Sequence, residues 1–176
     1  MKSRLIVILL AVVMVVAAAV HLRLIPATAQ SQSQTLSPVA EEVLGAAESV
    51  FKLMKARDYP ALWQGLTMET RSEIVASVQK ASKKTGQEYT AEQLAQDFAT
   101  GGPQAKAYWE AYLNVFNPDM VLEDCKWSMG PIEKNVAAVI VQFKKSDKPA
   151  ILILKKEGGA WRLGLDETFG ARKWLP

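Results

Sequence analysis

The sequence predicts an α+β fold in which N-terminal helices pack on a C-terminal, four-stranded, curved antiparallel sheet. Three observations carry that prediction. From residue 37 to residue 116, apolar side chains recur at helical spacing between capping and breaking residues. From Met120 the period shortens toward that of strands. Gly158-Gly159, a dipeptide that tolerates positive φ, joins the apolar run Ile151 to Leu154 to the alternating run Trp161, Leu163, Leu165, which reads as a β-hairpin. Helices in series followed by strands in series is the α+β pattern.

Ser37-Pro38 opens the first helix, with Ser as N-cap, Pro at the first helical position and Glu41 and Glu42 at the positive end of the dipole. Its apolar face is Val39, Val43, Ala46 or Ala47, Val50 and Met54, and it stops near Arg57. Asp58-Tyr59-Pro60 caps a short second helix through Leu62 and Trp63. Thr67 starts a third that runs to about Lys84, with Ile74, Val75 and Val78 buried and Gly86 after its end. Thr90 with Gln93 is a capping box for a helix through Phe98, which Thr100-Gly101-Gly102-Pro103 breaks. Another helix spans Gln104 to Phe116 before Asn117-Pro118, which predicts extended backbone. Val121, Cys125, Trp127 and Met129 are then expected on one side of a first strand, with a turn at Gly130-Pro131. Val136 to Phe143 forms the second strand, Ser146 to Pro149 a turn, and the hairpin supplies the last two. Several strand runs are apolar on both faces, which predicts that a neighbouring chain or the tail from Phe169 to Pro176 covers part of the outer face.

Residues 1–29 stand apart. Lys2 and Arg4 precede an apolar run of 16 residues, Leu5 to Val20, and Ala27-Thr28-Ala29 supplies a small-x-small site, the three zones of a secretory signal peptide cleaved after Ala29. The alternative is an uncleaved membrane anchor over residues 5–25. Sixteen helical residues cover about 24 Å against a hydrocarbon core of roughly 30 Å, and Arg23 interrupts the continuation. Either way the domain is expected outside the cytoplasm, periplasmic or extracellular, touching a membrane only through an uncleaved N-terminal segment. Residues 30–36 read as a disordered linker, and 37–176 as one domain.

Removing residues 1–29 takes away Lys2, Arg4 and Arg23 and leaves 18 basic side chains against 18 acidic ones, so overall charge gives no case for nucleic-acid binding. It also takes away His21, the sole histidine, which rules out Ser-His-Asp, Cys-His and His-ligated zinc chemistry in the domain. Cys125, the only cysteine, reads as a buried thiol beside Trp127. Glu123-Asp124 and Asp166-Glu167 are expected in extended backbone, pointing to opposite faces, which suits neither a metal nor a shared proton. Ser77-Val78-Gln79-Lys80 with Lys84-Thr85-Gly86 matches on paper the serine β-lactamase motifs, but both fall on one predicted helix and its end, so the match reads as chance. No cofactor and no metal site is expected.

The segment Val50-Phe51-Lys52-Leu53-Met54-Lys55-Ala56-Arg57-Asp58-Tyr59-Pro60-Ala61-Leu62-Trp63 resembles the opening of NTF2-like (cystatin-like) domains, and Gly159-Ala160-Trp161-Arg162-Leu163 resembles their closing strand. The resemblance covers roughly residues 38 to 168, and departs from the best-known members in placing all strands last. It implies a curved sheet around a long helix, forming a cone that binds small apolar ligands in some members, does catalysis in others and serves dimerisation in many. Enzymatic members often use His with Asp, and no residue here matches that His, so no catalytic residue is carried over.

Tyr108 and Tyr112, spaced i,i+4, with Phe116 continuing their face and Trp109 pointing aside, are expected with Trp63 and Trp127 to line a ligand cavity or to pack as core. The function expected from these readings is a non-enzymatic, exported domain that binds a small apolar ligand or a protein partner at the cell envelope, as a homodimer through its sheet. The alternatives are an enzyme using Asp97 or Asp124 as base with Tyr108 or Tyr112 as hydrogen-bond donor, and a purely structural dimer.

Overall fold

The computed structural model of the chain describes residues 36–169. The expectations for residues 1–35 and for the tail beyond Phe169 lie outside the described residues. Helix α1 (Pro38–Ala56) begins where Ser37 accepts a hydrogen bond from Ala40 N at 3.2 Å, and ends at Arg57, whose left-handed backbone (φ 56°) lets the N–H groups of Arg57 and Asp58 close on Met54 and Leu53 carbonyls. Its buried face is Ala40, Val43, Ala47, Val50, Phe51 and Met54. Val39, expected on that face, is 41% exposed. Proline sets the first turn, so the stripe starts one residue later.

Asp58 caps α2 (Tyr59–Gln64) through Ala61 N. Thr67 caps α3 (Met68–Lys84), which ends before Gly86 at φ 79°. The Thr90/Gln93 capping box opens α4 (Ala91–Thr100), with both reciprocal bonds made, at 2.8 and 3.2 Å. Gly101 (φ 69°) turns the chain into α5 (Pro103–Val115). Glycine at Gly102 offers no capping side chain, and Asp97 takes over that role, accepting from Ala105 N at 2.7 Å. Tyr59 and Arg57 both reach Glu110 at 2.7 Å, fixing α5 beside the α1–α2 turn.

The extended backbone expected from Pro118 is instead a helix, α6 (Pro118–Asp124). Extended backbone is confined to Phe116 and Asn117 ahead of the proline. Asn117 serves as N-cap, accepting from Asp119 N at 2.9 Å, and Pro118 occupies the first helical position, where its missing N–H costs nothing. Val121 therefore reaches the core from a helix, and Glu123 and Asp124 are helical neighbours.

Strands β1 (Cys125–Glu133), β2 (Val136–Phe143), β3 (Ala150–Glu157) and β4 (Ala160–Gly164) form an antiparallel meander in the order β1-β2-β3-β4. Trp127 opposite Val141, Met129 opposite Val139, and Leu154 opposite Leu163 belong to the inner face, on which α1 packs against all four strands. Gly130-Pro131 is not the expected turn. It lies within β1 where the register shifts between Met129 and Ile132, and the chain reverses at Lys134-Asn135, with Lys134 at φ 52°. A Cβ on Gly130 would lie 3.0 Å from that of Ala138, so glycine lets β2 approach, while proline suits an outer strand that lacks a second partner. The other edge is closed: Leu66 pairs with Leu163, Thr67 N donating to Leu163 O at 3.0 Å and Leu163 N to Gly65 O at 2.8 Å.

The last strand stops at Gly164, earlier than the alternation of Leu165 and Asp166 suggests, and the chain enters a short helix, α7 (Leu165–Phe169). Thr168 accepts from Ile153 N at 2.9 Å, replacing the ladder bond that β4 would have supplied. Glu167 accepts from Thr67 Oγ1 at 3.0 Å and Thr70 Oγ1 at 3.1 Å and pairs with Lys155 at 3.0 Å, so α7 ties the start of α3 to the outer side of β3. Ile151 beside it remains 51% exposed.

Candidate functional site

The five predicted site residues lie along one path of touching rings. Trp63 stacks on Phe98 at 4.7 Å between ring centroids. From Phe98 the contacts run through Tyr108 (5.5 Å), Trp109 (5.0 Å), Tyr112 (5.8 Å), Phe116 (5.2 Å), Phe51 (6.1 Å) and Trp127 (5.6 Å). Every predicted ring lies on this path, and Phe98, Trp109 and Phe51 fill the intervals between them. Trp109, expected to point aside, is wholly buried, and Tyr108 is the half-buried neighbour. Burial pushes the Tyr108 hydroxyl up to about 12, and burial with Tyr108 nearby pushes Tyr112 up as well, so both remain neutral phenols near pH 7.

The carboxylates weighed for catalysis have other partners. Asp97 caps α5. Asp124, at the end of α6, pairs on the surface with Lys144 at 3.2 Å, and Glu123 with Lys55 at 3.2 Å. Ser77, Lys80 and Lys84 all lie on α3, as the spacing of their paper motif implied. Cys125 is half-buried rather than enclosed, because it opens β1 at the α6 junction; burial first, and Asp124 second, push its thiol up. Among the described residues no three His, Cys, Asp or Glu side chains converge as metal ligands.

Space is found at one end of the aromatic path. An open groove of about 560 Å³ runs between α3 and α4 over Trp63, lined on α3 by Met68, Arg71, Ser72 and Val75 and on α4 by Ala91, Glu92 and Ala95. Residues 68, 71, 72 and 75 form one i, i+3, i+4, i+7 stripe, and 91 and 95 an i, i+4 pair, so each helix turns one face to the groove. Ala91 and Ala95 are short and exposed, Met68 is 68% exposed at the mouth, and Trp63 beneath them is itself only 4% exposed. The Arg71 guanidinium lies over the Trp63 ring, 5.9 Å from its centroid. Burial lowers its pKa, as does the neighbouring Arg162, with Glu157 acting the other way; Arg71 nonetheless stays charged.

The chain matches no protein-family model, no curated protein and no solved structure. Chemistry at this site therefore rests on the groove alone. Of the predicted residues Trp63 lines it; Met68, Arg71, Ser72, Val75, Ala91, Glu92 and Ala95 were not singled out from the sequence. On α3 those residues form the stripe Met68, Arg71, Ser72 and Val75, in which two polar residues stand between two apolar ones.

Proposed function

We propose that the chain is a non-catalytic binding domain whose α3–α4 groove holds an elongated apolar ligand over Trp63. The observation that carries this reading is the groove itself: its volume falls within the few hundred to about 1,000 Å³ usual for small-molecule sites, and Met68, Val75, Ala91 and Ala95 make most of its lining apolar beside the one aromatic ring, Trp63. The aromatic path supports it from the other side. Rings that interlock as Trp63, Phe98, Tyr108, Trp109 and Tyr112 do leave the ligand a place above them rather than among them. We read the domain as exported, on the zones of residues 1–29, and as NTF2-like, on its two motifs and on a long helix crossing an antiparallel sheet.

Native mass spectrometry of the chain isolated from its own host tests the binding role. A ligand mass on the natural chain that disappears when Ala91→Trp and Ala95→Trp fill the groove is the expected result; equal masses with and without the two tryptophans would sink it.

A second reading, homodimerisation through the sheet, draws on one further observation. Val136 (43% exposed) and Ile151 (51%) share the outer face with half-buried Ala138, Ile140 and Ile153. Light scattering of Ile151→Lys against the natural chain separates the two readings, since only the dimer would lose mass.

A further inference from the structure

The groove is mostly apolar, with Ser72 and the charged Arg71 and Glu92 among its lining residues. Arg162 is near enough to disfavour the Arg71 charge, and Glu157 near enough to favour it. Glu157 already has partners: it accepts from Met68 N at 3.0 Å, capping α3, and stands 3.9 Å from Arg162 Nε. Arg162 also donates to Gln64 O. Among the described residues Arg71 makes no salt bridge, and its guanidinium is the one placed over Trp63, inside the groove. Two guanidiniums thus share one carboxylate, leaving a single positive charge facing the groove.

The opposite end carries the opposite sign. Gln79 Nε2 donates to Tyr89 O at 2.8 Å, while Phe98 stacks on Trp63 beneath Arg71, so α3 and α4 run antiparallel and the start of α4 lies far from Arg71. Glu92 sits in that first turn, its carboxylate held ionised by its backbone N–H and Thr90. Between the two charges are Ser72, Val75 and Ala95 with Trp63 below, and Met68 and Ala91 lie at the two ends, with no further cation among the lining residues.

Resting on the groove as a ligand site, we propose that its ligand is a monoanionic amphiphile, a fatty acid, bound with its carboxylate on Arg71 and its acyl chain over Trp63 toward Ala91. The planar guanidinium matches a carboxylate in two parallel hydrogen bonds, and one surplus charge suits one negative head. Glu92 sets the direction, because a carboxylate at that end would meet a like charge.

Isothermal titration calorimetry of the delipidated full chain, with dodecanoate, dodecan-1-ol and dodecyltrimethylammonium as probes below their micellar concentrations, tests the proposal. Dodecanoate binds once per chain, and the alcohol and the cation bind at least about tenfold more weakly, the size of one charge-assisted hydrogen-bonded pair. Shortening the acid by two carbons weakens binding by roughly tenfold. Arg71→Gln brings dodecanoate down to the level of the alcohol, and Arg71→Lys, which keeps the charge, retains part of the preference and guards against a Gln variant that fails to fold. Dodecanol binding as tightly as dodecanoate, or a preference that survives Arg71→Gln, would overturn the anionic head and leave the groove standing. No heat from any probe, or heats unchanged when Ala91→Trp and Ala95→Trp fill the groove, would overturn both.

Discussion

Trp109 and Trp63 belong to one path of touching rings and are both buried, at 0% and 4% exposure, yet their neighbours differ. Around Trp109 every direction is taken: Tyr108 and Tyr112 present edges at 5.0 and 5.8 Å, and no part of the residue reaches solvent. Trp63 has Phe98 on one side, while on the other the residues facing it are alanines, a methionine and an arginine. The difference lies in the size of the neighbours rather than in the ring. The core is held by contacts within it, whereas the groove is held open by its walls, whose ends are fixed elsewhere: α3 begins at the Thr67, Thr70 and Glu167 cluster, and α4 ends at Gly101.

The largest effect is expected where the rings interlock. Trp109→Ala removes a wholly buried indole and should cost about 3–5 kcal/mol in urea unfolding. The Trp109 Nε1 hydrogen finds no partner among the described residues, so Trp109→Phe discards an unsatisfied donor with part of the ring and should cost clearly less. Equal losses for the two variants would mean that packing counts for little at this position, and the contrast with Trp63 would fail.

Next is the anchor of the α3 wall. Glu167→Gln, which removes the carboxylate that Thr67, Thr70 and Lys155 share while Lys155 keeps its pair with Glu69, should cost about 1–3 kcal/mol at pH 7. Burial works to raise the Glu167 pKa, but its own backbone N–H, Lys155, Thr67 and Thr70 outweigh that and hold it below the ordinary 4.5. The unfolded chain therefore takes up this proton first as pH falls. The contribution is complete above about 4.5 and is lost as pH drops through the lower folded value. Natural and Glu167→Gln chains should converge in stability under acid; curves that remain parallel down to pH 2 would remove the charge from the account.

The α4 wall ends on a smaller device. Gly101 sits at φ 69°, with Pro60 Cγ 3.0 Å from where a Cβ would go. Gly101→Ala should cost about 1 kcal/mol or somewhat more, since strain from the left-handed backbone adds to a close contact. Gly86→Ala, at φ 79° with nothing within 4 Å, provides the control with backbone strain alone.

Much of this anatomy was legible because local chemistry decided it. Ser37, Asp58, Thr67 and Thr90 cap the helices they were expected to cap, and Gly158-Gly159 turns the last hairpin. Failures came where one residue allows two local answers. Pro118 restricts Asn117 yet suits the first turn of a helix, and Gly130-Pro131 reads as a turn while serving as a bulge on an outer strand. The groove was hidden for another reason. Ala91 and Ala95 matter by what they leave empty, and Arg71 by a ring on a different helix, and neither relation exists until α2, α3 and α4 are packed together.

The smallest predicted effect bears most directly on the contrast. Ala95→Leu places an aliphatic side chain at the groove, on an exposed helical position where leucine and alanine have similar propensity. If the groove were a packing defect, filling it would recover burial, about 1.5–3 kcal/mol for a leucine fully withdrawn from water. A groove whose walls are fixed by the Glu167 cluster and Gly101 should gain far less, because the new side chain stays on an open surface and contacts Trp63 from one side only. The expected change is within about 0.5 kcal/mol by equilibrium denaturation. A gain well above about 1 kcal/mol would show that α3 and α4 close on the leucine as a core does, and would put Trp63 in the same class as Trp109.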